Sequence, residues 1–123
     1  MEVIHGDGVP TSHLPFSPAI RAGGFVFVSG QASVDDNGQI VVDTFAGDMR
    51  RSLENARRIL TAAGVTFRQV VQVRSYVARP EDLAEYNQIY REFFSEPFPA
   101  RTTIVECLGK ALKFEIEMMA TAE

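Results

Sequence analysis

Apolar residues recur with two different periods along the chain. Between Thr44 and Ala63, Met49, Leu53, Ala56, Leu60 and Ala63 are three or four residues apart, the inward stripe of an amphipathic helix, and Gly64 supplies its stop. A second helix is predicted from Pro80, whose fixed φ suits a first turn, with Glu81 and Asp82 where the helix dipole favours acids. Its inner stripe is Leu83, Tyr86, Tyr90 and Phe93, and Pro97-Phe98-Pro99 ends it.

Elsewhere the period shortens to two. Phe25-Val26-Phe27-Val28-Ser29, bounded by Gly23-Gly24 and Gly30, predicts a buried strand. Asp35-Asp36-Asn37-Gly38 is a turn signal, with Gln39 to Val42 as the returning strand. Val71, Val73, Ser75 and Val77 alternate with Gln72, Arg74 and Tyr76. Arg101 to Glu106 and Ala111 to Ala120 are the final strands; in the last, Leu112, Phe114, Ile116, Met118 and Ala120 share one face and Lys113, Glu115 and Glu117 the other. Gly6 to Pro18, rich in proline, glycine and serine, reads as a surface loop of a length that often carries function.

The predicted order is β-β-β-α-β-α-β-β, an α+β two-layer sandwich of two helices on a sheet of about six strands. Both helical stripes cover one sheet face. The other face carries valine, tyrosine and carboxylates with no second layer, so self-association is expected to cover it.

At 123 residues there is room for a single core, so residues 1–123 are read as one domain, and 46% hydrophobic with 23% charged residues is ordinary globular composition. A formal charge of −4 disfavours a nonspecific nucleic-acid binder, which draws its affinity from phosphate neutralisation. No apolar run reaches the roughly 18 residues of a membrane span, and Met1 to Pro10 lacks the build of a secretory signal, so a cytoplasmic protein is expected. Cys107 stands alone and His5 and His13 are too few for a metal cage, so no structural metal is expected. His13 reads as an exposed loop histidine and Cys107 as inert packing. Nucleophile-elbow, P-loop and dinucleotide motifs are absent.

Chemistry concentrates between Pro97 and Glu117. Arg101 opens a strand after a proline-fixed turn, where a planar, permanently charged donor can be held for a carboxylate ligand. If the last two strands formed a hairpin centred on Gly109, Arg101 would lie opposite Glu117 and Thr103 opposite Glu115, all on one face. The same arrangement also reads as a cross-strand salt bridge of small energetic weight.

Phe98-Pro99-Ala100-Arg101-Thr102-Thr103 followed by Phe114-Glu115-Ile116-Glu117 resembles the C-terminal signature of the RidA (YjgF/YER057c/UK114) family. Phe16-Ser17-Pro18-Ala19-Ile20-Arg21 with Val26-Phe27-Val28-Ser29-Gly30-Gln31 is similar to its N-terminal signature, and Tyr86 to Phe94 to its second-helix pattern. The resemblance covers nearly the whole chain. It implies a chorismate-mutase-like fold, a homotrimer with clefts between subunits, and hydrolysis of 2-imino acids and enamines, such as 2-iminopropionate from 2-aminoacrylate, to 2-oxo acids and ammonia without a metal or organic cofactor. By the same resemblance Arg101 binds the substrate carboxylate, Glu115 orients the attacking water and Asn87 lines the cleft; Phe16, Gly30 and Thr103 are expected to bind substrate with Asn87, Gly30 through a backbone N–H in a groove that no side chain obstructs. The chain departs from the family pattern at Phe16, where tyrosine is usual, which favours apolar or aromatic substrates, and at Leu108-Gly109-Lys110, where proline is usual. Two other functions stay open: a trimer that binds 2-oxo acids without turnover, and the older family label of endoribonuclease or translation inhibitor.

Overall fold

A computed structural model describes residues 1–123. Its elements are β1 (Glu2–Val3), β2 (Ala19–Ala22), β3 (Phe25–Gln31), α1 (Phe45–Ala62), β4 (Val70–Val77), α2 (Leu83–Phe93), β5 (Ala100–Val105) and β6 (Phe114–Thr121), with single 3₁₀ turns at Phe67–Gln69 and Pro80–Asp82. The strands form one sheet in the order β1-β2-β3-β6-β4-β5, antiparallel except for the parallel pair β4 and β5, with both helices packed on one face. The α+β sandwich expected from the sequence is present. No helix is long and apolar enough to cross a membrane.

The helices form for the reasons the periodicity gave. Thr44 caps α1 by accepting the Gly47 N–H at 3.1 Å, and Met49, Leu53, Ala56 and Leu60 are fully buried against the sheet. Gly64 follows in the left-handed region (φ 79°), a conformation that costs other residues more. Tyr86, Ile89 and Tyr90 bury the inner face of α2.

Strand pairing differs from expectation in three places. The first hairpin is β2–β3, turning at Gly23 and Gly24, both with positive φ as a two-residue turn requires; Gln39 to Val42 contributes only an isolated bridge, Ile40 to Val34. In β4 a register shift between Val70 and Gln72 turns Val71 outward, so Val70 takes the inner position and the alternation starts again at Val73. The third difference affects the site. β5 and β6 are not a hairpin, because β4 lies between them: α2 carries the chain across the sheet and β5 pairs parallel with β4.

Candidate functional site

Arg101 stands on the edge strand β5 in register with Val73, a core residue, and therefore faces the helices. There its guanidinium carbon lies 5.0 Å from the ring centroid of Tyr86 and 4.7 Å from that of Tyr90, within cation–π range of both. The rings are themselves fixed. The Tyr86 hydroxyl shares a 2.8 Å hydrogen bond with the Thr103 hydroxyl, and Tyr90 stacks on Phe94 at 4.4 Å. Thr103 thus acts behind the arginine, holding one of the rings it rests on. The guanidinium makes no hydrogen bond or ion pair within the chain, so its N–H donors are left for a ligand.

The guanidinium borders a cleft of about 220 Å³ lined by Asn87, Tyr90, Arg91, Phe98, Pro99 and Arg101. Asn87 is half-buried on α2 and its side-chain amide has no partner within the chain. The Tyr90 hydroxyl is buried without a hydrogen-bond partner, and burial pushes its ionisation well above the ordinary tyrosine range.

Glu115 lies on the other side of the sheet. It is in register with Tyr76 on β4, and two residues on, Glu117 accepts a 2.6 Å hydrogen bond from the Tyr76 hydroxyl and a 3.1 Å bond from Arg74. The two carboxylates thus differ in environment. Glu117 is tied down, whereas Glu115 has neither a hydrogen bond nor an ion pair and is half-buried. Burial first, and the charge of Glu117 second, raise its pKa above the ordinary glutamate value.

Gly30 explains how Glu115 can sit where it does. β3 shifts register between Val28 and Gln31, and a Cβ on Gly30 would collide with Glu115 Oε2. Gly30 also borders a larger open basin of about 570 Å³ shared with Phe16, His13, Pro18 and Gln31. Phe16 is exposed there.

The residues singled out in the sequence therefore form two groups within one chain. Arg101, Thr103 and Asn87 gather against α2; Glu115, Gly30 and Phe16 gather about the β3 bulge. The expected cross-strand pairing of Arg101 with Glu117 is wrong: an intervening strand separates them, they face opposite sides of the sheet, and Arg74 is the cation opposite Glu117. Sequence reasoning also missed the support given by Tyr86 and Tyr90, which it took as plain core, and the wall formed by Phe98. The signal was available, since two tyrosines on a buried stripe bring hydroxyls that a core must accommodate.

Comparisons with known proteins agree with this fold. The family model described as Endoribonuclease L-PSP matches residues 8–122. The chain is 39% identical over 99% of its length to the RutC family protein PH0854 of Pyrococcus horikoshii, covering 98% of that protein. It is 33% identical over 97% of its length to the 2-iminobutanoate/2-iminopropanoate deaminase of Salmonella typhimurium, covering 96% of that protein. Among solved structures, E. coli TdcF with bound serine superposes with a TM-score of 0.88 at 30% identity over the full length of both chains.

Proposed function

Because the chain belongs to the endoribonuclease L-PSP family, the RidA/YjgF family of its sequence signatures, we propose that it hydrolyses reactive 2-imino acids and their enamine tautomers to 2-oxo acids and ammonia. The observation that carries this reading is Arg101, a guanidinium fixed on two tyrosine rings with its N–H donors free at the mouth of a cleft. Such a fork matches a carboxylate in bidentate fashion, and every 2-imino acid carries one beside the reacting carbon.

The reaction asks little beyond placement. The C=N carbon is already electrophilic, so holding the carboxylate and setting a water against that carbon supplies most of what is needed; well-oriented reactants can gain about 7 kcal/mol or more. Arg101 holds the carboxylate and the Asn87 amide donates to the substrate. Glu115, whose raised pKa makes it a better base than an ordinary glutamate, takes a proton from the water as its oxygen bonds to the C=N carbon and returns it to the nitrogen; it then takes the remaining hydroxyl proton as the C=O bond forms and the C–N bond breaks, and that proton leaves with the ammonia. No metal or organic cofactor takes part.

Arg101 and Glu115 lie on opposite faces of one sheet, so in this reading each reaction centre combines the Arg101 wall of one subunit with the Gly30–Glu115 surface of the next, and a ring of three copies closes the set. The uncovered sheet face supports such an assembly: Phe25, Phe27 and Val71 are 38%, 43% and 41% exposed there, apolar surface that a neighbouring subunit would cover.

The test generates 2-iminopropionate with a dehydratase in the presence of semicarbazide and follows semicarbazone formation. The wild type is expected to divert the imine to pyruvate and ammonia, and Arg101→Ala to lose that effect while keeping the same assembly size by light scattering. Undiminished semicarbazone with wild type across several amino acids would overturn the reading and leave carboxylate binding without turnover.

A further inference from the structure

Seven arginines of the chain are paired with carboxylates: Arg21, Arg50, Arg51, Arg57, Arg58, Arg74 and Arg79. Arg68, Arg91 and Arg101 are not, and the last two line the same cleft. The remaining lining residues are Asn87, Tyr90, Phe98 and Pro99, so the cleft holds two permanent cations and no acid. In a chain of net charge −4 this is a local reversal of sign, and a concave site with that charge concentrates anions.

Arg91 is placed to take part. It follows Asn87 by one turn of α2, so the two share a helix face, and one of its guanidinium N–H groups donates to the Asn87 carbonyl at 3.1 Å. That bond turns the side chain back along α2, over the residue whose amide borders the cleft. The rest of the fork has no partner.

Resting on the deaminase reading above, we propose that Arg91 selects 2-imino acids that carry a second carboxylate on the side chain. Arg101 takes the carboxylate beside the C=N carbon and Arg91 takes the distal one, with Phe98 and Pro99 against the methylenes between. At about 30 Å³ per water, the cleft's ≈ 220 Å³ equals roughly seven waters, room for a dicarboxylate of four or five carbons. A monocarboxylate neutralises one guanidinium and leaves the other facing it; a dicarboxylate neutralises both. The chemistry is the same hydrolysis: water adds to the C=N carbon, the C–N bond breaks, and a 2-oxo diacid and ammonia leave with no change of oxidation state.

The test measures binding and turnover separately. Calorimetric binding of 2-oxopentanedioate and 2-oxobutanoate is compared in wild type, Arg91→Gln and Arg91→Glu, alongside hydrolysis of the corresponding imines generated by an amino-acid oxidase. Wild type is expected to bind the diacid about tenfold more tightly, a preference that shrinks with added salt. Arg91→Gln abolishes the preference while leaving 2-oxobutanoate affinity within about twofold, and Arg91→Glu reverses it; since Arg91 is exposed on a helix surface, both variants keep the fold. A wild type without diacid preference, or a preference that Arg91→Gln leaves intact, overturns the assignment. If the preference follows Arg91 but no imine is hydrolysed, the deaminase reading fails and the role of Arg91 in selecting diacids stands.

Discussion

Gly30→Ala separates the placement of Glu115 from the stability of the fold. Gly30 does not have the positive φ that would demand glycine; what demands it is space, since an added Cβ would lie 3.1 Å from Glu115 Cδ and closer still to Oε2. The obstacle is the far end of a flexible side chain. Glu115 can swing aside at a cost on the order of 1 kcal/mol for an unfavourable rotamer. To reach ordinary van der Waals separation its carboxylate oxygen must retreat by at least about 1.3 Å. A misplacement of that size at a reacting group costs about 100-fold, or ~2.7 kcal/mol of transition-state stabilisation. Steady-state hydrolysis of 2-iminopropionate should therefore show kcat down about 100-fold, with KM little changed because Arg101 is untouched, and a melting temperature within about 4 °C of wild type. The double variant Gly30→Ala, Glu115→Gln should be no slower than Glu115→Gln alone, since both changes act on one carboxylate. A Gly30→Ala enzyme with full kcat would refute the argument that the glycine exists to admit Glu115.

Glu115→Gln should remain able to bind 2-oxo acids yet release no ammonia. Its stability should also gain on wild type as pH rises: the folded-state pKa of Glu115 is raised, so wild type keeps the favourable contribution of the neutral acid below the ordinary glutamate pKa and loses it as pH climbs through the raised value, which urea titrations at several pH values will read. Tyr90→Leu removes a ring from beneath Arg101 and should raise KM about tenfold, in line with a cation–π contact of ~0.5–2 kcal/mol, whereas Tyr90→Phe, which loses only an unpartnered hydroxyl, should keep KM and melt no lower than wild type. Asn55 is buried on α1 and donates to the Ala32 and Val34 carbonyls, both at 3.1 Å, so Asn55→Ala should lower unfolding free energy by about 2 kcal/mol in denaturant melts while leaving KM unchanged.

Local patterns were legible in the sequence, and long-range pairing was not. The stripe of α1, its glycine stop, and the alternation along β6 are set by neighbouring residues, and each stands where the sequence reading put it. The assumed hairpin between β5 and β6 failed because adjacency in sequence was taken for adjacency in the sheet; a proline-bounded crossover helix sends β5 to the outer edge, and no residue near Gly109 records that. The bulge in β4 failed for a similar reason, since the valines at 70, 71, 73 and 77 fit either register until β6 selects one. Site residues followed the same rule. Arg101 and Glu115 were visible through motifs, but that they lie on opposite faces of the sheet follows only from knowing that β4 intervenes.

That strand order also makes one strand the link between two halves of the sheet. The segments β1 to β3 and β4 to β5 share no strand pairing of their own; each pairs with β6, which is the last strand in chain order and is flanked on both sides. Without Phe114–Thr121 the sheet falls into two parts, each with an unsatisfied inner edge. One strand thus closes both edges and carries Glu115 to its place against Gly30, so the pairing that completes the sheet is nonlocal, of the kind that slows folding, and the same pairing positions that carboxylate.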